Sequence, residues 1–160
     1  TNMASTLKVD TIAHTGGTTA MTVDSSGRTL TPNTVCVRVT GTGDYVSMSN
    51  ELMKFTVIVH ETGGTNYNTS TKLFTCPVSG WYEATCHVLT QASQSGELQL
   101  KVAGTTVARQ YMAADRGMNA HNVVYCTANQ TLGWYWAASG NVHYQGGADA
   151  YSSAAYRLIG

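Results

Sequence analysis

The sequence predicts an all-β protein in which a jelly-roll β-sandwich follows a short β-stem. Short apolar and β-branched runs recur along the chain and are separated by Gly, Asn, Ser or Asp, as in strands joined by turns. No stretch of ten or more residues carries a clear apolar stripe at 3.6-residue spacing, so helices are not expected. Eight such runs indicate a sandwich or jelly roll, and they cover residues 35–39, 55–59, 81–89, 98–102, 106–112, 122–126, 132–137 and 150–159.

Alternation within these runs predicts which side chains face the core. Successive side chains of a strand point to opposite faces, and a strand with one polar face fits an antiparallel sheet that is wet on one side. The predicted inward set is Tyr82, Ala84, Cys86, Val88, Leu98, Leu100 and Val102. The predicted outward set on the first of these runs is Trp81, Glu83, Thr85 and His87.

The composition limits the partners that the chain can bind through charge. Hydrophobic residues make up 42% of the chain, which is enough for a core. Charged residues make up 11%, against about 25% in an average domain. Nine basic residues balance nine acidic ones, which argues against binding nucleic acid or an anionic membrane. No apolar run is long enough to predict membrane insertion.

The first 32 residues predict a separate stem. Residues 7–12 and 21–24 each alternate apolar and polar side chains, and a turn signal follows at 25–28. Two short hairpins cannot bury their apolar faces alone, so we expect the same segment of other chains to cover them. Pro32 marks the boundary between a stem at 1–32 and a head at 33–160. The stem residues predicted to pack between chains are Leu7, Val9, Ile12, Met21, Val23 and Leu30.

The four cysteines predict no cofactor site. None of them forms a CxxC pair, and each lies in or beside an apolar run. We expect buried free thiols that pack as small apolar groups, because Met3-Ala4-Ser5 indicates a start without a leader and synthesis in a cytosol. Disulfides remain the alternative.

Two segments near the start resemble a known class of stem. Residues 5–12, followed by 20–28, resemble the stem that leads into the head domain of fibre-type structural proteins of tailed phages. The resemblance implies a virion location, with other virion structural proteins as partners.

The head resembles the complement C1q and tumour-necrosis-factor-like jelly rolls. Residues 67–82 are similar to a signature of that family, carried here by Phe74, Pro77, Gly80 and Tyr82. Residues 151–159 resemble its last strand, although Ala155 stands where the family often has Gly. The resemblance implies a homotrimer of jelly rolls around a threefold axis. The signature is physically reasonable, because Pro77 suits the start of a strand and Tyr82 supplies a large core anchor.

Motifs for catalysis and metal binding are absent from the sequence. The five histidines form neither HxxxH nor HExxH, and no Gly-x-Ser-x-Gly motif occurs. The nine acidic residues are scattered, so paired carboxylates for glycoside cleavage are not predicted. We therefore expect no enzyme activity, cofactor or metal. An apical calcium ion held by Asp115 or Asp149 stays open.

Two regions are candidates for recognition. Trp134-Tyr135-Trp136 is read either as core or interface packing or as part of a sugar platform. The loop at 141–147 is the better candidate, because loops on a rigid scaffold carry binding. Its predicted contact residues are Asn141, His143, Tyr144 and Gln145, and a second set is Arg109, Tyr111 and Arg116.

These observations predict a non-catalytic phage virion fibre protein whose trimeric head binds a host surface receptor, either a glycan or a protein. The alternative is a purely structural head fibre, capsid decoration or filament subunit that binds only other virion proteins. Cleavage of a host polysaccharide is the third and last hypothesis.

Overall fold

The structure, a computed structural model, describes residues 9–17, 19–31, 34–144 and 150–159, without the side chains of Leu30, Ser93, Gln94, Ala114 and Asp115. Within these ranges the regular elements are all strands, and no helix that could span a membrane is found. The chain forms two compact units, Thr1–Thr34 and Val35–Gly160. Their division lies two residues after the boundary predicted at residue 32.

Unit 1 contains a three-stranded antiparallel sheet. Its strands are β1 (Thr11–Ala13), β2 (Thr19–Val23) and β3 (Thr29–Leu30), in that order across the sheet. Asp24 fixes the β2–β3 turn, because its Oδ1 accepts hydrogen bonds from the amides of Ser26 and Arg28, each at 2.9 Å. The bonds from Arg28 hold the pKa of the Asp24 carboxyl below its usual value. Gly27 completes the turn with a φ of 78°.

The predicted stem side chains of unit 1 find little cover within one chain. Val9, Ile12 and Val23 remain 40%, 44% and 36% exposed, and Met21 is half-buried. Leu7 and the side chain of Leu30 lie outside the described residues.

Nine strands lie in the described part of unit 2. They are β4 (Cys36–Thr40), β5 (Val46–Leu52), β6 (Val57–Thr62), β7 (Tyr67–Asn68), β8 (Leu73–Thr75), β9 (Gly80–Val102), β10 (Thr105–Cys126), β11 (Thr131–His143) and β12 (Ser153–Leu158). Their pairing order is β6-β4-β12-β9-β11-β8-β7, with β10 on β9 and β5 on β11. Two pairs of predicted strands are thus single long strands, and β5, β7 and β8 were not among the predicted runs.

The β9–β10 hairpin belongs to both layers of the sandwich. The first half of β9 pairs with β12, from Tyr82↔Leu158 to His87↔Ser153. Its second half pairs with β11, from Leu98↔Trp136 to Val102↔Leu132. β10 follows β9 through both halves, with register shifts around residues 112–117. Sheet 1 therefore comprises β6, β4, β12, early β9 and late β10, and sheet 2 comprises early β10, late β9, β11, β5, β8 and β7.

The core between the sheets confirms most of the predicted faces. The inward residues of β9 are buried, except that Val102 is only partly so. Trp134 and Trp136 share the buried side of β11, which favours the packing interpretation of that motif over the sugar platform. Residues of the family signature meet in the core, where Phe74 stacks on Tyr156 at 5.3 Å and touches the edge of Tyr82 at 5.8 Å between ring centroids.

The four cysteines are free, as expected. Cys76, Cys86 and Cys126 are buried, and Cys36 is half-buried. Burial raises the pKa of the Cys86 thiol far above its usual value, so this residue packs as an apolar group.

Removal of the Phe74 ring, which packs against Tyr82 and Tyr156, tests the described packing of the core. Phe74→Ala should lower the free energy of unfolding by about 3–5 kcal/mol, because it leaves a cavity between two other aromatic rings. Val78→Ala, at an exposed side chain nearby, should change it by less than about 0.5 kcal/mol. Urea denaturation measures both, and equal effects would contradict the proposed core.

Candidate functional site

The head has two distinct ends along its strands. Leu158 donates a hydrogen bond to the Val35 carbonyl at the end where unit 2 begins. β12 begins at the opposite end, where Ser153 pairs with Thr40 and with His87, and runs toward Leu158. We call the region beyond these pairs the far end of the head. It is formed by the β4–β5 connection, by the described residues of the β11–β12 connection and by the bend of β9 and β10.

A cluster of three rings, in which each tyrosine plane is tilted by about 40° from the imidazole, is the main feature of the far end, and we call it the tyrosine stack. The imidazole of His143, at the end of β11, lies between the phenol rings of Tyr45 and Tyr151, each at 4.4 Å between centroids. The two tyrosines remain 46% and 43% exposed, whereas the His143 side chain is 12% exposed. The stack thus presents two phenol faces to solvent on a buried imidazole.

Asp44 adds a carboxylate to the stack. Its Oδ1 lies 3.6 Å from His143 Nε2, and the Asp44 side chain is 78% exposed. Nε2 itself is buried and has no hydrogen-bond partner among the described residues. The carboxylate and the tyrosine rings therefore lie together around one histidine.

A network of hydrogen bonds fixes the backbone beneath the stack. Ser152 Oγ donates to the His143 carbonyl at 2.6 Å and accepts from the Leu89 amide at 3.0 Å. Thr90 Oγ1 bonds the carbonyl of Ala92 at 2.9 Å and that of Arg116 at 3.2 Å. These bonds tie Ser152 and the bends of β9 and β10 to the backbone that carries His143.

The structure brings only part of the first predicted contact set to the surface. His143 forms the stack, and Asn141 is half-buried, with its Nδ2 donating to Gln91 Oε1 at 2.7 Å. Gln145 lies outside the described residues, as does Asp149 of the open calcium hypothesis. No group of three or more potential metal ligands occurs in the part of the chain that is described.

Tyr144 was wrongly predicted as a receptor contact. Its ring is fully buried and packs edge-on against Phe55 at 5.7 Å. Its hydroxyl accepts a hydrogen bond from the Lys54 amide at 2.8 Å, and burial raises its pKa well above the usual value. The alternation of β11 continues past the end of the strand, so the residue after His143 turns into the core.

The second predicted set does not converge on the stack. Tyr111 is 64% exposed on β10, and Arg109 pairs with Glu97 at 3.1 Å on the outward side of sheet 2. Arg116 is exposed, and its carbonyl belongs to the far-end network. The side chain of Asp115 lies outside the described residues.

Sequence reasoning missed three residues of the stack. Asp44, Tyr45 and Tyr151 lie in connections, where periodicity gives no information about neighbours. The turn-forming Gly-Thr-Gly-Asp-Tyr segment at 41–45 was the available signal, because an aromatic residue directly after a turn at a strand end is well placed for contact.

Exposed aromatic faces beside a carboxylate have a definite binding chemistry. Tyrosine presents a large, rigid, amphipathic surface at low entropic cost, which suits both sugars and proteins. The Asp44 carboxylate accepts hydrogen bonds from hydroxyls or amines. On the described surface, the far end is therefore a better candidate for recognition than the second predicted set of contact residues.

The position of Tyr144 can be tested through its neighbour Gly41. A Cβ at residue 41 would lie 2.2 Å from Tyr144 Cδ1 and 2.8 Å from the Lys54 carbonyl oxygen. Gly41→Ala should therefore lower the free energy of unfolding by about 1–3 kcal/mol. Gly117→Ala is the matched control, because its nearest contacts would lie at 3.9 Å. Denaturation curves that do not separate the two variants would refute the buried position of Tyr144.

No protein-family model matches the chain, and no curated protein matches it. Solved structures match its fold. The globular domain of a zebrafish complement 1qA protein has a TM-score of 0.62 and 13% identity over 79% of this chain and 98% of its own. An Eiger TNF from S. frugiperda has a TM-score of 0.65 and 10% identity over 80% and 94%. Murine APRIL has a TM-score of 0.57 and 10% identity over 79% and 99%. At such identities the likeness concerns the fold alone, and it confirms the predicted complement C1q and tumour-necrosis-factor-like jelly roll.

Proposed function

We propose that this chain is a non-catalytic fibre protein of a phage virion, and that its trimeric head binds a host surface glycan or protein through the far end. The observation that carries the proposal is the pair of half-exposed tyrosines held against His143. The resemblance of residues 5–12 and 20–28 to phage fibre stems supports the virion location.

The exposed side chains of unit 1 support a trimer. Val9, Ile12 and Val23 stay exposed although the sheet is formed. Fully burying an apolar side chain of this size stabilises by about 1.5–3 kcal/mol, and one chain leaves the part of that gain that belongs to the exposed 36–44% unused. Two further copies of the chain would supply the same strands, and these strands would cover the exposed side chains.

The head carries a second apolar area that suits contact between copies. Trp81 and Tyr125 lie side by side on the outward face of sheet 1, with ring centroids 5.6 Å apart, and remain 51% and 55% exposed. Val123 and Ile159 extend this area, which we call the aromatic row. Tryptophan and tyrosine are enriched where protein surfaces pack together, so the row fits an interface better than a free surface.

The oligomeric state gives the first test. Light scattering should give a mass about three times the 17.0 kDa of one chain. The double variant Trp81→Ser, Tyr125→Ser should raise the protein concentration at which the trimer dissociates by about 30-fold or more, the effect of losing a binding hot spot. Val107→Ser, at an exposed position on sheet 2, should leave it unchanged. A mass of one chain would refute the trimer.

Adhesion to host cells gives the second test. Three weak sites on one stalk act at high effective concentration, so even modest affinity per site produces firm attachment. Tyr45→Ala and Tyr151→Ala should each weaken binding per site by about 30-fold while the trimer mass persists. Val107→Ala should bind host cells as the wild type does, because the Val107 side chain lies on the outward face of sheet 2 and is not part of the tyrosine stack.

The alternatives predict different results in the same assay. Heads that ignore host cells but bind capsids or one another would favour the purely structural role. Release of reducing sugars from host polysaccharide would favour an enzyme. Labelled antibody on intact particles, viewed by electron microscopy, tests the virion location directly.

A further inference from the structure

The outward face of sheet 1 carries a concave site beyond the aromatic row. One row of paired residues crosses five strands there, in the order His60, Arg38, Ala155, Thr85 and His121. Small side chains stand at its centre and longer basic ones at its sides. This difference in size leaves an open dish of about 370 Å³.

The next row completes the wall of the dish. Ser153, His87 and Asn119 are register partners there, and His87 Nδ1 lies 2.6 Å from Asn119 Oδ1. The polar lining thus consists of Arg38, Thr85, His87, Asn119, His121 and Ser153. All of these side chains can donate a hydrogen bond, and none is a carboxylate.

The charge of Arg38 is not balanced within the described part of unit 2. Glu83, in the neighbouring row, is bonded to Arg157 and, at 2.8 Å, to His121 Nε2. The bonds from His121 and then Arg157 lower the pKa of the Glu83 carboxyl, so this group stays ionised and engaged. Glu61 accepts the amides of Asn66 and Tyr67 instead, at 2.6 and 2.9 Å. The described ion pairs therefore leave Arg38 without a carboxylate.

Two hydroxyls face the same space. The side chains of Thr85 and Ser153 form no hydrogen bond with another described group, and both line the dish. A guanidinium that shares a concave site with hydroxyl donors can bind an oxyanion, because the fork of Arg matches two oxygens and the hydroxyls supply further donors.

We propose that this dish binds an oxyanion, namely a sulfate, phosphate or carboxylate group, either as a free ion or on an acidic sugar. Arg38 supplies the charge, and Thr85 and Ser153 supply neutral donors. Ala155 leaves room for the ligand, since a larger side chain at this central position would fill the dish. The site is separate from the tyrosine stack and does not depend on the proposed receptor role.

Calorimetric titration with sodium sulfate, at an ionic strength held constant with sodium chloride, tests the site. The wild-type chain should bind sulfate saturably. Arg38→Gln should weaken the affinity about tenfold or more, as expected for loss of a charge-assisted hydrogen bond. Ala155→Leu should abolish binding without changing the charge. Lys72→Gln removes a positive charge outside the dish and should match the wild-type affinity within about twofold. Non-specific attraction of the anion to the net charge would instead weaken equally in both charge variants.

Further arms separate the source of the anion and the role of assembly. If glucuronate binds more tightly than sulfate and glucose does not bind, the site is assigned to acidic sugars. If sulfate binds more tightly than glucuronate, the site is assigned to inorganic ions. Absence of saturable binding of either anion, or equal weakening in Lys72→Gln, overturns the proposal. Light scattering on the same samples reports the oligomer independently, so a failed trimer and a failed anion site are distinguishable.

Discussion

The whole head depends on one constraint, the continuous β9–β10 hairpin that contributes to both sheets. β9 and β10 pair on both sides of the register shifts around residues 112–117, so one pair of strands contributes its register to sheet 1 and to sheet 2. β12 and β4 then extend one side, while β11 extends the other. Because side chains alternate along both strands, this register also decides which residues enter the core and which form the outward faces. The aromatic row, the dish and the tyrosine stack all take their positions from it.

Many of the core residues could be predicted from the alternation of apolar and polar residues along the strands, because alternating residues lie on opposite faces of a sheet. The buried set on β9 follows from period two, and so does the shared face of Trp134 and Trp136, although the structure was needed to show that this face is the inward one. Continuity across the bend does not follow, because the polar residues at 90–96 look like a loop in the sequence. β5 was missed for the same reason: it contains Ser-Met-Ser-Asn-Glu, and its place in the sheet comes from pairing with β11. Tertiary pairing outweighs local propensity at both places.

The candidate site was predictable only in outline. The sequence indicated the end of β11 as a recognition region, and His143 lies there. Its two ring partners come from different connections that are distant in the chain, and only the closed fold brings them together. For Tyr144 the prediction failed in the opposite way, because a residue expected at the surface lies in the core. Its aromatic character suggested a contact, whereas one further step of alternation and the absence of a side chain at Gly41 place it inside.

The low charge of the chain gives the outward face of sheet 1 a particular importance. That face combines the aromatic row, an engaged Glu83 and the unbalanced Arg38. An isolated guanidinium is stable in water, but a neighbouring copy packed over the face would remove part of that water, and desolvating an unpaired charge is costly. If trimer contacts extend from the aromatic row across the dish, an anion bound to Arg38 lowers this cost. A ligand that binds the assembled form more tightly than the separated chains stabilises it by mass action. The two proposals are then thermodynamically linked: the oxyanion strengthens the trimer, and the trimer strengthens the binding of the oxyanion.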